Sequence, residues 1–200
     1  NVISVYPHGN AVIREIALGL AHREGAEGEA RRGAHRAGVP LLAAVHPLED
    51  ATYLVRDPSR TPLDAVALGS PQADEALRSA DVVVCATSAR SPVFDSALLG
   101  DDAVVVAVGS HEPDARELDA PLLGRASVVV DDVAAALREA GDVILAIADG
   151  TIEPADLLPM RDIVTGAVAV PTDRPLVFKS VGMGWQDLVV AAAVLQLSEG

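Results

Sequence analysis

Three apolar runs, each broken by small polar residues, constrain this chain more than any other feature. Asp81–Ala86 reads DVVVCA and gives way to Thr87-Ser88. Ala103–Val108 reads AVVVAV and gives way to Gly109-Ser110-His111, and Ala126–Val130 reads ASVVV and gives way to Asp131-Asp132. The runs are short, rich in β-branched residues and free of polar alternation. They predict strands buried on both faces, as in a parallel sheet covered by helices. Open sheets of that kind gather their polar groups and ligands just beyond the carboxyl ends of the strands. The fold class is therefore read as α/β, a Rossmann-like, doubly wound, mostly parallel sheet with helices on both faces.

The flanking segments fit that outline. Val2–Tyr6 (VISVY) predicts a short strand, Pro7-His8-Gly9-Asn10 a turn, and Ala11–Arg23 a helix with Val12, Ile13, Ile16 and Leu20 at helical spacing. Strand, glycine-bearing turn and helix outline either a phosphate-binding first unit or a purely structural one. Glu24–Gly38 scatters Gly25, Gly28, Gly33 and Gly38 through a charged segment. Each glycine would cost roughly 1 kcal/mol in a helix, so a loop or frayed helix is expected. Ala51–Val55 predicts a strand, and Ser70-Pro71 an N-cap opening an amphipathic helix. Further on, Pro92–Leu99 predicts a short helix and Ala134–Ala140 another, with Gly141 as its C-cap. Val143–Ala148 and Ile152–Leu158 read as helical pieces, and Leu176–Phe178 as a last strand. Gln186–Leu197 reads as a closing helix whose apolar surface calls for burial against another surface, such as a second subunit.

Charge and composition exclude several classes. The 200-residue chain carries a formal net charge of −14, and its longest basic run is the Arg31-Arg32 pair, which argues against nucleic-acid binding. Tyr6, Tyr53, Phe94, Phe178 and Trp185 are the aromatic residues, so the core must be built from Val, Leu, Ile and Ala. No run reaches the roughly 20 apolar residues of a membrane span, and no signal peptide opens the sequence, so a cytoplasmic location is expected. Cys85 is alone and set in an apolar strand, which predicts a buried, inert thiol. The histidines show no metal spacing, and no metal site is expected.

The candidate chemistry collects at strand ends. Asp57, leaving the Ala51–Val55 strand, suits an adenosine ribose, or else caps the turn before Pro58. Arg56 and Arg60 beside it would suit a 2′-phosphate. His111 follows Gly109-Ser110, where an imidazole could move a proton, or could simply bond its own loop.

These residues also carry a resemblance. Val108-Gly109-Ser110-His111-Glu112-Pro113-Asp114-Ala115-Arg116-Glu117-Leu118-Asp119, then Val130-Asp131-Asp132 and Phe178-Lys179-Ser180-Val181-Gly182-Met183, with Ala86-Thr87-Ser88 ahead of them, resemble the ornithine cyclodeaminase/μ-crystallin family. The resemblance runs from about Pro47 to Leu197. It implies a Rossmann domain that binds NAD or NADP, with a slight lean to NAD from Asp57. It also implies a small imino or amino acid as substrate, and a homodimer. Carried over, Arg56 and Asp57 would meet the adenosine end, and Ala86, Thr87 and Ser88 would lie along the cofactor. Val105, Val106, Ala107, Val108 and Gly109 would line the nicotinamide side with Ser180, while Val181 and Gly182 would face substrate. His111, where the cyclodeaminases hold an aspartate, would be the catalytic proton carrier, and the wording around it is closer to the μ-crystallin and imine-reductase side. Glu117 and Asp131 would cap the turns that shape the pocket.

Two departures from the family pattern are visible. Gly25 and Gly28 are the nearest equivalent of its glycine-rich phosphate turn, yet no apolar run precedes them. Val2–Tyr6 with Gly9 is the alternative. A substrate and dimerisation lobe ahead of the Rossmann domain is also not expected here, which would leave Arg90, Arg116, Lys179 or a partner subunit to anchor a carboxylate. The expected organisation is residues 1–46 as an atypical N-terminal segment with a degenerate phosphate-loop region, and residues 47–200 as an NAD(P)-binding Rossmann-like domain with a C-terminal helix. The expected function is an NAD(P)-dependent oxidoreductase, by imine reduction, amino-acid dehydrogenation or cyclodeamination. The alternatives are a non-catalytic or vestigial ligand-binding homologue and a Rossmann-like module that only oligomerises.

Overall fold

In the computed structural model all three apolar runs form strands, Val82–Cys85 (β4), Val104–Ala107 (β5) and Ser127–Val130 (β6). The structure describes residues 2–6, 51–61, 64–185, 188–189, 191–192 and 195. The expected helix over Ala11–Arg23, the Glu24–Gly38 segment and the phosphate-turn candidates Gly9, Gly25 and Gly28 lie outside them. The remaining strands are Val2–Tyr6 (β1), Ala51–Val55 (β2), Ala65–Ala67 (β3), Leu158–Pro159 (β7) and Leu176–Lys179 (β8). Together they form one eight-stranded sheet in the order β3-β2-β1-β4-β5-β8-β6-β7, and every pairing is parallel. The order reverses between β1 and β4, which is the topological switch point of a doubly wound sheet.

Register explains what is buried. Val83, Val105, Val177 and Val128 lie in one cross-sheet row, and Cys85, Ala107, Lys179 and Val130 in the next. In a parallel sheet, paired residues share a face. The apolar members of both rows belong to one core cluster with Leu77, Leu122, Leu123, Val143 and Ala146. These come from the helices Pro71–Arg78 (α1), Ala120–Arg125 (α2) and Gly141–Ala148 (α4). Burying each such Val or Leu is worth about 1.5–3 kcal/mol. Burial on both faces holds for β6, whose four residues are all buried, whereas β4 and β5 alternate buried with half-buried valines.

Local chemistry sets the helix starts. The Ser70 hydroxyl accepts from Ala73 N at 3.2 Å, with Pro71 in the first turn of α1. Asp119 caps α2 and Asp132 caps Val133–Glu139 (α3) in the same way.

Three local expectations are corrected. Pro92–Leu99 forms only a 3₁₀ turn, Ser96–Leu98, started by the Asp95 carboxylate accepting from Ala97 N. Ile152–Leu158 is a 3₁₀ turn, Pro154–Asp156, followed by β7, because Glu153 and Asp156 close a capping box and the chain then joins the sheet. Gly141 does not cap α3 but begins α4. It is glycine because a Cβ there would lie 1.9 Å from Ala115 O and 2.3 Å from Glu112 O.

The chain divides into two units, residues 1–9 with 49–181, and residues 10–48 with 182–200. The first holds the whole sheet. In the second, the described positions from 184 to 195 are helical, beginning two residues ahead of the Gln186–Leu197 stretch expected to close the chain as a helix. Its Trp185, Leu188, Val189 and Leu195 are exposed. No helix among the described residues is long and apolar enough to cross a membrane.

Candidate functional site

The carboxyl ends of β4, β5 and β8 are neighbours, and the chain leaves each through small residues. Ala86 and Thr87 follow β4 and are buried, while Ser88 is exposed. Val108, Gly109 and Ser110 follow β5, and Ser180 and Val181 follow β8. The loops are joined directly to the strands beside them: Val108 N donates to Cys85 O, and Ser180 N to Ala107 O.

Two carboxylates fix these loops. Glu117 Oε1 accepts from Thr87 N at 2.5 Å, and Oε2 from Gly109 N at 2.8 Å and Ser110 N at 3.2 Å. Glu117 is 0% exposed. Its own backbone is held by Asp142, whose Oδ1 accepts from Glu117 N at 2.7 Å and Leu118 N at 2.8 Å. Lys179 closes the cluster, donating from Nζ to Ser110 O at 2.5 Å and lying 3.2 Å from Asp142 Oδ2. That last contact is an ion pair without hydrogen-bond alignment. Burial pushes the Glu117 carboxyl above its ordinary value, against the Thr87 bonds and the Lys179 charge.

The second carboxylate is Asp131, at the end of β6. Its Oδ2 accepts from Ser180 Oγ at 2.5 Å and from Val181 N at 3.2 Å, while Oδ1 is buried without a hydrogen-bond partner. Glu117 and Asp131 thus cap the turns, as expected from the sequence.

The other sequence candidates fall in several places. Asp57 lies two residues past β2, with Oδ1 accepting from Ser59 N at 3.0 Å and Ser59 Oγ at 2.6 Å, and Arg56 beside it is exposed. His111 is exposed, and its Nδ1 lies 3.3 Å from Gly109 O. A carbonyl can only accept, so in this contact Nδ1 is the donor, and Nε2 is not engaged by it. Val105 and Ala107 are fully buried in the core rows, whereas Val106 and Val108 are half-buried. Gly182, with φ of 79°, opens the second unit.

The three cations considered for anchoring a substrate carboxylate are each engaged by the chain's own acids. Arg90 bridges Glu112 and Asp114, Arg116 pairs with Asp149 at 2.9 Å, and Lys179 is shut inside the Glu117 cluster. Its place in the Cys85–Ala107–Lys179–Val130 row, which faces the core, is what buries Lys179. Cys85, in the same row, is fully buried. Burial first, and the Glu117 and Asp142 charges second, push its thiol far above its ordinary value, as suits an inert residue.

A cavity of about 340 Å³ opens at the opposite end of the sheet, where Ser127 begins β6, and is lined by Gly124, Ile152, Leu158 and Arg174. None of the residues that follow β4, β5 and β8 lines it. No cluster able to hold a metal ion occurs among the described residues.

A profile of the ornithine cyclodeaminase/mu-crystallin family matches residues 55–199. Ketimine reductase mu-crystallin of Mus musculus is 38% identical over 120 residues, which cover 60% of this chain and 36% of the mouse protein. A Delta(1)-pyrroline-2-carboxylate reductase of Colwellia psychrerythraea is 31% identical over 121 residues, covering 59% of this chain and 38% of that protein. The matched stretch thus spans less than two-fifths of these relatives. The Thermococcus litoralis Delta(1)-pyrroline-2-carboxylate reductase, solved with NADH and L-proline, superposes with a TM-score of 0.74 at 21% identity, over 98% of this chain and 57% of that one. That likeness shows the Rossmann-like fold. On the family match and the strand-end loops together, the chain belongs to the ornithine cyclodeaminase/mu-crystallin family.

Proposed function

We propose that this chain is the dinucleotide-binding part of an NAD(P)-dependent oxidoreductase acting on a small imino or amino acid, with imine reduction its best-supported direction. The observation that carries the reading is the convergence of Thr87, Gly109-Ser110 and Ser180-Val181 at the ends of three adjacent strands, beside the sheet's reversal point. The related ketimine and pyrroline-carboxylate reductases, both named for C=N reduction, support the direction.

The residues present fit such a cofactor. Ser88 is exposed and Gly109 half-buried at the strand ends, and the orphaned Asp131 Oδ1 is an acceptor for an N–H or O–H donor. In this reading Thr87, Gly109 and Ser180 lie along the cofactor, with Val106 and Val108 as its apolar wall. Asp57 serves the adenosine ribose, which favours NAD, with Arg56 beside it. The phosphates are assigned to the segment that follows β1 in the chain, with Gly9, in preference to Gly25 and Gly28, because β1 holds the first-strand position of the sheet.

Bound there, the nicotinamide supplies or accepts a hydride. His111 is the proton carrier in this reading, giving a proton to substrate nitrogen in imine reduction and taking it back in the reverse direction, its ring aimed by the contact of Nδ1 with Gly109 O. Val181 and Gly182 face substrate. A homodimer belongs to this reading, supported by the exposed Trp185, Leu188 and Val189.

Titrating NADH and NADPH into the purified chain, followed by reduced-nicotinamide fluorescence, tests the proposal. Saturable binding is expected, followed by cofactor oxidation with a cyclic imino acid. No saturation at millimolar cofactor would overturn it in favour of a ligand-binding homologue without turnover. Asp57→Ala should weaken NADH more than NADPH, and equal losses would remove its ribose role. His111→Ala should lower turnover with cofactor affinity unchanged.

A further inference from the structure

The Glu117 carboxylate accepts three backbone N–H groups from two different loops, and both of its oxygens are used. Those loops are the ones that follow β4 and β5. They already touch: a Cβ on Gly109 would sit 2.1 Å from Thr87 O and 2.5 Å from Glu117 Oε1. Their separation is fixed with no slack by this side chain together with the bond from Val108 N to Cys85 O. Glu117 is itself held from behind by Asp142 on its backbone N–H, and Lys179 pulls on Ser110 O from the third strand. A carboxylate suits this task because it offers only acceptors, arranged on two oxygens that diverge toward two chains. A glutamine would place an NH₂ group against one set of N–H donors.

Resting on the dinucleotide reading above, we propose that Glu117 is a positioning residue that presets the spacing of the Thr87 and Gly109 loops, and so determines how tightly and in what pose the dinucleotide is held. The clamp is complete in the protein alone, so binding does not have to order these loops. Hydride transfer depends steeply on placement, and a shift of about 1 Å costs on the order of a hundredfold in rate.

The test compares Glu117→Gln with Ser70→Ala in the full chain. Ser70→Ala loses the α1 cap, so it lowers stability away from these loops. Thermal melting and NADH titration are run on each. The expected result is an NADH Kd raised about tenfold or more in Glu117→Gln, with Kd in Ser70→Ala near that of the parent. Glu117→Asp, one methylene too short to reach both loops, should fall between them, and it carries the test if Glu117→Gln does not fold. A lowered melting point with NADH affinity kept within about twofold in the glutamate variants would overturn the proposal and leave Glu117 a fold stabiliser alone. Failure of the unsubstituted chain to bind NADH would overturn the dinucleotide reading and this proposal with it. That result appears before any substitution, so the two failures are distinguishable.

Discussion

Two acidic residues tie neighbouring strand ends together in this sheet, and they do so in contrasting ways. Glu117 joins the loops after β4 and β5, is fully buried, and uses both oxygens on three amides, with Lys179 and Asp142 packed around it. Asp131 joins the ends of β6 and β8 through one oxygen only and keeps the other without a hydrogen bond. The first junction is saturated, and its geometry can change only by breaking the network. The second keeps unused acceptor capacity at the same edge.

Stability measurements can break this contrast. The largest effect should follow Glu117→Ala, which strips three buried amides of their acceptor and leaves Lys179 beside Asp142 in a gap. A loss of about 3–5 kcal/mol is expected by urea unfolding, and a loss below about 1 kcal/mol would show that the junction is not saturated. Lys179→Met should cost somewhat less, about 3 kcal/mol, since the methionine fills the volume while Asp142 stays buried without its cation.

The pH dependence gives the contrast a sign. The carboxyl of Glu117 is raised above its ordinary 4.5 in the folded chain, so the native state holds that proton more tightly than the unfolded state does. Its contribution to stability is then full below the unfolded value and is lost as pH rises through the raised folded value. The stability advantage of the parent over Glu117→Gln should shrink as pH is raised above the ordinary 4.5. An advantage that grew over that window would refute the direction. Asp131→Asn, at the half-used junction, should cost only about 1 kcal/mol, because an amide oxygen can still accept from Ser180 or Val181. Smallest of all, His111→Ala should change stability by less than about 0.5 kcal/mol, since the ring is exposed and bonded only to its own loop.

What could be read from the sequence follows physical range. The DVVVCA, AVVVAV and ASVVV runs became β4, β5 and β6 because unbroken β-branched stretches have few other ways to bury themselves. Ser70-Pro71 capped a helix because capping spans only three residues. The three-residue β3 and two-residue β7 carry too little pattern to show, and the Ile152–Leu158 stretch looked helical until its end was drawn into the sheet. Gly141 was read as a helix stop, but the reason for it is a close approach by Ala115, and no spacing rule reveals a contact made across the fold. The Glu117 clamp is the same kind of case. Its partners lie 30, 8 and 7 residues away along the chain, and Lys179 reaches Ser110 across 69. The plain structural reading of Glu117 is a turn cap, and only the assembled sheet shows how many turns it holds. The same register put Lys179 in the core and removed it from the candidates for substrate binding.

The place of β8 has a consequence for how the chain is made. Among the described residues β8 is the last strand in sequence, yet it is inserted between β5 and β6. Until residues 176–179 arrive, those two strands face each other across an empty slot, each with an unpaired backbone edge of the kind that recruits strands from other chains. During synthesis the half of the sheet from β3 to β5 can assemble first, while β6 and β7 wait. The last strand brings the hydrogen-bond ladder that closes the slot and also the ammonium group that answers the buried acids. Completion of the sheet and neutralisation of its interior therefore happen in one late, long-range step, the kind that slows folding and prolongs exposure to aggregation.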